Sequence, residues 1–368
     1  MAFALPALRA GVVGSGFVAA IHVDALRRLG VEVKGIVGST PERAQAKGLA
    51  AVYESLDELL ADDVDVVHVT TPNHLHHAQV KAVLAAGKHV VCEKPLALTS
   101  AESAELLQLA RESGLVHCTN FNLRFYPVVQ QARELVRSGA VGEVWNVHGG
   151  YLQDWLALPT DWNWRLEPEK GGELRAVGDI GSHWLDLVEF VTGLRVSELC
   201  ADLATVIPVR QRPTGEVETF GAAEDVERVD APMATEDLAN VLLRFEGGAR
   251  GALVVSQVSA GRRNALRFEL DGSAGALAWD GERNEELWLG HRERPSEVVL
   301  RDPGMPHTGM PAGHAEGYAD TFRELYRAVY ETVAGGTGEF PTFEDGHRAQ
   351  LLGEAIAASH RERRWVSV

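Results

Sequence analysis

The stretch Arg9-Ala10-Gly11-Val12-Val13-Gly14-Ser15-Gly16-Phe17-Val18-Ala19 decides how the chain is read. Arg9 to Val13 has the pattern of a short buried strand, and Val18 to Leu29 that of a helix. Between them lies Gly-x-Gly-x-x-Ala. Gly14 suits a tight turn, Gly16 lets the backbone approach a ligand closely, and the small Ala19 lets the helix pack against the sheet. A helix opening at such a turn directs N–H groups and the positive end of its dipole outward, which favours a pyrophosphate. The motif alone is short. A strand before it and a helix after it make it a dinucleotide fingerprint, with Gly14, Gly16, Phe17 and Val18 as expected contacts.

Working outward, strand and helix patterns alternate. Strands are predicted at Val31–Val37, Val64–Val69, Lys88–Cys92 and Leu115–Thr119, and helices at Pro41–Ala51, His76–Ala86 and Ser100–Ser113. Such alternation implies right-handed crossovers and a buried parallel sheet, so a Rossmann-type domain is expected over residues 1–121. After a helix at Phe125–Ser138 the rhythm changes. Extended runs dominate at Val196–Val206, Leu238–Phe245, Ala249–Ser256, Leu266–Leu270 and Leu287–Leu289, with a strand starting near Val144. Helices are predicted at Ile180–Val191, Glu316–Val333 and Phe343–Ser359, and loops at 155–172, 207–236 and 301–315. Residues 122–368 therefore read as a second, α+β domain on a largely antiparallel open sheet, and the chain as α/β overall.

The totals narrow the partners. The chain has 368 residues and a formal net charge of -17, which disfavours nucleic acid and anionic membrane surfaces. Cys92, Cys118 and Cys200 show neither paired nor zinc-ligand spacing. No apolar run approaches the ~20 residues of a membrane span, and Met1–Arg9 lacks the pattern of a secretory signal, so a cytoplasmic location is expected. His74, His76 and His77 have no carboxylate or thiol at matching spacing, so no metal is expected.

The second strand bears on the cofactor. NAD enzymes usually carry Asp or Glu near its end for the ribose hydroxyls. Here the segment is Gly38-Ser39-Thr40-Pro41-Glu42-Arg43, with no carboxylate at the tip. Ser39, Thr40 and Arg43 are candidates to receive a 2′-phosphate, which leans the reading from NAD toward NADP.

Two features carry chemistry. Lys94, in Glu93-Lys94-Pro95, stands at the carboxyl end of a parallel strand, where open α/β sheets bind ligands. Pro95 favours extended backbone at Lys94. In the second domain, Ile180, Trp184, Leu187, Val188 and Val191 form an apolar stripe, with Asp179, His183 and Asp186 along its flank. A histidine near its ordinary pKa of ~6.5 suits proton transfer, and a neighbouring carboxylate can orient it.

The ordered motifs Gly14–Ala19, Thr71-Pro72-Asn73-His74-Leu75-His76, Ala86-Gly87-Lys88-His89-Val90, Glu93-Lys94-Pro95-Leu96-Ala97 and Gly178-Asp179-Ile180-Gly181-Ser182-His183-Trp184-Leu185-Asp186 resemble those of the glucose–fructose oxidoreductase, inositol dehydrogenase and rhizopine-catabolism family (Gfo/Idh/MocA). The likeness covers the whole first domain and, more loosely, the rest. It implies a nicotinamide-dependent oxidoreductase acting on a sugar, polyol or derivative, without a metal. It implies that Lys94, Asp179 and His183 form the catalytic trio, and that Thr71, Pro72, Asn73, His76 and Glu93 lie about the cofactor. It also implies a homodimer or homotetramer built through the C-terminal sheet.

Arg124 sits where the family enters its substrate domain, and reads equally as a substrate ligand or a structural link. Tyr151, Asp154, Trp155, Trp162, Trp164 and Arg165 bring aromatic faces and charge together, which suits a ring with C–H faces and hydroxyl edges. His314 is a further pocket candidate. A dinucleotide-binding sensor of the same fold is the competing reading. Relatives of that kind lack the lysine, so Lys94 favours the enzyme.

Overall fold

The computed structural model describes residues 7–215 and 226–368. Its first unit begins with β1 (Arg9–Val13), α1 (Phe17–Arg28), β2 (Glu32–Val37), α2 (Pro41–Lys47), α3 (Leu56–Ala61), β3 (Val66–Val69), α4 (His76–Ala85), β4 (His89–Cys92), α5 (Ser100–Ser113) and β5 (His117–Thr119). The strands form one five-stranded parallel sheet in the order β2-β1-β3-β4-β5. All four β3 residues are buried, which explains why the central strand, apolar apart from His68, does not alternate. Helix starts follow local chemistry. The Thr40, Ser55 and Thr99 hydroxyls accept from the third backbone N–H of α2, α3 and α5, and left-handed Gly48 and Gly114 end α2 and α5. The sheet reverses its winding between β1 and β3, so ligands are expected at the carboxyl ends there.

The second unit contains α6 (Pro127–Arg137), β6 (Val144–Leu152), the single-turn α7 (Pro168–Gly171), α8 (Ser182–Thr192), β7 (Val196–Ala204), β8 (Val209–Pro213), β9 (Arg228–Pro232), β10 (Leu238–Phe245), β11 (Arg250–Ser256), β12 (Ala265–Gly272), β13 (Ala276–Asp280), β14 (Glu286–Gly290) and β15 (Glu297–Leu300). With β16 (Val366–Ser367), its main sheet has the order β15-β14-β13-β12-β6-β11-β10-β7-β16. Every pairing in it is antiparallel except β6 with β11. Helix α8 lies on one face, where the Trp184 indole N–H donates to the Arg267 carbonyl at 2.7 Å.

Three expectations change. The segment 155–172, read as a loop, carries a 3₁₀ turn at Trp164–Leu166 and the single turn α7. The segment 207–236, read as a loop, contains the hairpin β8–β9; part of it, 216–225, lies outside the described residues. Both strands carry charges and proline, and among the described residues they pair only with each other, so neither shows the alternation of a half-buried strand. The domain division 122–368 is also too simple. Helix α9 (Tyr318–Val333) and the start of α10 (Phe343–Glu362) belong to the first unit, which comprises the chain through Phe125 plus Gly317–Gln350. The reason is packing. Phe322, Leu325, Tyr326, Val329 and Tyr330 of α9 are buried in one cluster with Ala19, Val23 and Leu26 of α1.

Candidate functional site

In the first unit the glycine turn ties three strand ends together. Gly14 N–H donates to the Val37 carbonyl at 2.7 Å, and Thr70 N–H to the Val13 carbonyl at 2.7 Å. Gly14 has φ +114°, and a β-carbon there would fall 2.4 Å from Thr70 Oγ1. Glycine is required on both counts. Gly16 differs: a β-carbon would meet no atom within 4 Å, and no side chain caps α1, whose first turn holds no acidic residue. An open, uncapped helix N-terminus beside a collapsed turn fits a dinucleotide pyrophosphate. Phe17 is 57% exposed beside it, and Val18 is half-buried. At the β2 end, Ser39, Thr40 and Arg43 are exposed, but the Thr40 hydroxyl already accepts from Arg43 N–H at 3.3 Å.

The loops after β3 and β4 are pinned from within. Thr71 Oγ1 donates to Gln79 Oε1 at 2.6 Å, and Asn73 is buried after Pro72. His76, expected near the cofactor, is fully buried, with Nε2 2.8 Å from the Thr71 carbonyl and Nδ1 2.8 Å from the Pro95 carbonyl. Burial pushes its pKa down against those two hydrogen bonds. Its ring lies between the two loops, where a neutral imidazole donates to one of the two carbonyls and a charged one to both. Glu93 also turns inward. Its Oε1 lies 2.9 Å from His22 Nε2 and accepts from the Asn120 amide, and its Oε2 accepts from Lys94 N–H at 3.2 Å. Burial works to raise the Glu93 pKa, but the His22 contact and the Lys94 charge hold it below the usual carboxylate range. Arg124 is paired with Asp345 at 2.7 Å, both largely buried in this unit, which supports the structural alternative over the substrate one.

In the second unit a single π turn, Val177–Gly181, leads into α8, where a regular helical start was expected. Insertions of this kind recur at functional sites because they redirect side chains. Glu236 holds the turn, accepting from Arg175 N–H at 3.0 Å and Val177 N–H at 2.8 Å. Asp179, on the turn, has Oδ2 accepting from the Gln257 amide at 2.9 Å and Oδ1 3.2 Å from Arg165 Nε. The Arg165 guanidinium lies 4.4 Å over the Trp164 ring and 5.9 Å from that of Trp155. His183 is buried, its ring 6.4 Å from that of Tyr151. The Tyr151 hydroxyl donates to Asn264 Oδ1 at 2.6 Å; burial and the nearby Asp179 charge push its pKa up. Gln153 reaches the same Asn264 oxygen at 2.9 Å and accepts from the Trp155 indole. The fold thus gathers Tyr151, Trp155, Trp164, Arg165, Asp179 and His183 into one polar and aromatic cluster.

His314 is not part of that cluster. It is exposed in the 301–315 loop, its carbonyl held by Arg301 at 2.6 Å and its ring near the Ala312 carbonyl. Gln153, Asn264, Gln257 and Arg175 escaped sequence reasoning. They belong to no motif and reach the site only through sheet register. Arg175 Nη1 donates to Gln257 Oε1 at 2.9 Å, while its other nitrogen pairs with Asp237, which Arg210 also binds at 2.7 Å. Among the described residues, no helix is long and apolar enough to cross a membrane, and no three His, Cys, Asp or Glu side chains are placed to hold a metal ion.

Comparison with known proteins matches residues 8–121 to the oxidoreductase family with an NAD-binding Rossmann fold, and residues 129–278 to the GFO/IDH/MocA C-terminal domain. Levoglucosan dehydrogenase of Pseudarthrobacter phenanthrenivorans is 30% identical over 98% of each chain. A solved levoglucosan dehydrogenase in complex with NADH and levoglucosan superposes with a TM-score of 0.89 at 29% identity, covering 98% of this chain and 99% of that one. An inositol dehydrogenase homologue from Azotobacter vinelandii complexed with NAD+ superposes at 0.85 with 25% identity, covering 98% and 97%. The chain belongs to the GFO/IDH/MocA family of oxidoreductases, with an NAD-binding Rossmann domain at its start.

Proposed function

We propose that the protein is a dehydrogenase or reductase that works on a carbon bearing the hydroxyl or carbonyl of a sugar, polyol or anhydro-sugar. The observation that carries this reading is the cluster around Asp179: a carboxylate held by Arg165 and Gln257, aromatic faces at Trp155 and Trp164, and a buried histidine packed on Tyr151. Polar groups of fixed orientation beside aromatic faces match the hydroxyl edges and C–H faces of a sugar ring. Levoglucosan and L-sorbose, each held in a complex of levoglucosan dehydrogenase with NADH, are of that class.

The dinucleotide, when bound on the Gly14–Ala19 turn, supplies the hydride acceptor or donor. The chain's own residues manage the proton and the charge. In the oxidative direction His183 takes the proton from the substrate hydroxyl, Asp179 holds that hydroxyl or the imidazole in place, and Lys94 stabilises negative charge growing on the oxygen. Replacing His183 or Lys94 by Ala therefore lowers turnover by about 10²-fold or more, with dinucleotide binding retained. Steady-state kinetics paired with fluorescence titration of the dinucleotide checks this. Near-normal turnover in either variant would remove that residue from the chemistry.

The cofactor reading narrows. Exposed Ser39 and Arg43, with no acidic residue at the β2 tip, leave room for a 2′-phosphate, whereas the Thr40 hydroxyl is engaged as a helix cap. The site is read as accepting NADP as well as NAD, with the phosphorylated form favoured. The ratio of Michaelis constants decides it, and a clear preference for NAD overturns it. We read the assembly as a homodimer or homotetramer through the main sheet of the second unit. Leu242, Val254 and Trp288 are 37–54% exposed on strands that alternate with buried positions, and Val298 and Leu300 of β15 are exposed beside them. A cytoplasmic location completes the reading, in keeping with three free cysteines.

A further inference from the structure

A continuous line of buried polar groups runs through the first unit, outside the residues given a role above. His22 on α1 and His68 on β3 are both 0% exposed, as is Tyr330 on α9. His22 Nε2 lies 2.9 Å from Glu93 Oε1, His22 Nδ1 lies 3.0 Å from His68 Nδ1, and His68 Nε2 lies 3.1 Å from the Tyr330 hydroxyl. Tyr326 packs against both imidazoles, at 5.1 and 4.7 Å between ring centroids.

The protons of this line can be counted. Each of the three links needs one hydrogen. An ionised Glu93 accepts only, so with both imidazoles neutral His22 carries its proton on Nε2 and leaves Nδ1 as an acceptor. His68 must then carry its proton on Nδ1 and leave Nε2 as an acceptor, which the Tyr330 O–H fills. Two neutral imidazoles and a neutral phenol thus satisfy every link once, all pointing toward Glu93. Reversing the line requires either a proton on Glu93 or a second proton on His22. The far end at Tyr330 is sealed from solvent, so the line has no outlet to bulk water at that end.

We propose that His22, His68 and Tyr330 are positioning residues: a one-directional hydrogen-bond relay that fixes Glu93 as an anion and, through its bond to Lys94 N–H, sets the lysine that follows. The proposal rests on the reading of Lys94 as the residue that meets substrate charge. Other titratable groups face the line. Burial raises the thiols of Cys92 and Cys118 and the phenols of Tyr326 and Tyr330, and lowers His68 and His76. Two further charges act on it: Lys94 beside Glu93, and Asp65 near Tyr330.

The test is a pair of phenylalanine variants on one helix. Tyr330→Phe removes the hydroxyl that completes the relay. Tyr326→Phe removes a buried hydroxyl that has no hydrogen-bond partner among the described residues. Without the Tyr330 donor, His68 gains nothing from keeping its proton on Nδ1, and the reversed line with protonated Glu93 becomes competitive. Tyr330→Phe is expected to move the acid limb of the kcat profile up by about one pH unit, with kcat at neutral pH lower by about fivefold and dinucleotide Kd unchanged. Tyr326→Phe is expected to leave the profile where it was. Long-range proton–nitrogen NMR of the wild-type protein, which needs no turnover, is expected to find His22 protonated at Nε2 and His68 at Nδ1. The opposite tautomers, a cationic imidazole at neutral pH, or identical pH profiles for the two variants overturn the relay. Failure of the Lys94 reading shows separately, as retained turnover in Lys94→Ala. Should Tyr330→Phe not fold, the wild-type tautomers decide.

Discussion

Asp179 is the residue whose surroundings explain most about the second unit. One carboxylate oxygen faces Arg165 and the other faces the Gln257 amide. The amide cannot turn over without placing its oxygen against Asp179 and its NH2 against Arg175, so the Arg175 contact at 2.9 Å locks it. Gln257→Glu keeps the shape but sets a second carboxylate beside the first. It is expected to shift the acid limb of activity upward. A pH–rate profile of the variant checks this, and an unshifted limb would show that Gln257 does not govern Asp179. Gly14, Lys94, Asp179 and His183 stand out as candidates in the sequence because each lies within a motif of short span. The engagements of His76 with two carbonyls and Arg124 with Asp345 were not, since their partners lie as far as 221 residues away. His22 carried no signal at all: a lone histidine on an apolar helix face looks the same whether it is packed or linked.

At the scale of elements, the parallel strands were readable because burial on both faces makes them continuous apolar runs. The β8–β9 hairpin was not, because it pairs with itself and its residues are charged. The main sheet of the second unit has two faces of different character. Leu243, Leu253, Phe268 and Leu287 are buried on one, while Leu242, Val254 and Trp288 stand exposed on the other. An apolar row of this kind on an otherwise acidic protein fits a second copy of the same face. Trp288→Glu together with Leu242→Arg is expected to halve the assembly or take it to monomers, with the fold retained. Light scattering coupled to size exclusion, alongside circular dichroism, reads both. An unchanged mass would move the contact elsewhere on the surface.

For the whole molecule, the two-part division was legible from the change of rhythm near Asn120, but the return of α9 to the first unit was not. Its apolar stripe shows that it packs on something, and only the tertiary structure shows that α1 receives it. That return also brings Tyr330 to His68, so the unit that holds the dinucleotide is completed by a segment far along the chain. The central claim is that this molecule oxidises or reduces a sugar-like alcohol or carbonyl rather than merely sensing a dinucleotide. Absorbance at 340 nm tests it, with NAD or NADP against a panel of anhydro-sugars, aldoses and inositols, run in both directions. The account predicts turnover with at least one member of the panel, in the ordinary enzymatic range of about 1–10³ s⁻¹. Tight dinucleotide binding with no turnover on any member would contradict it.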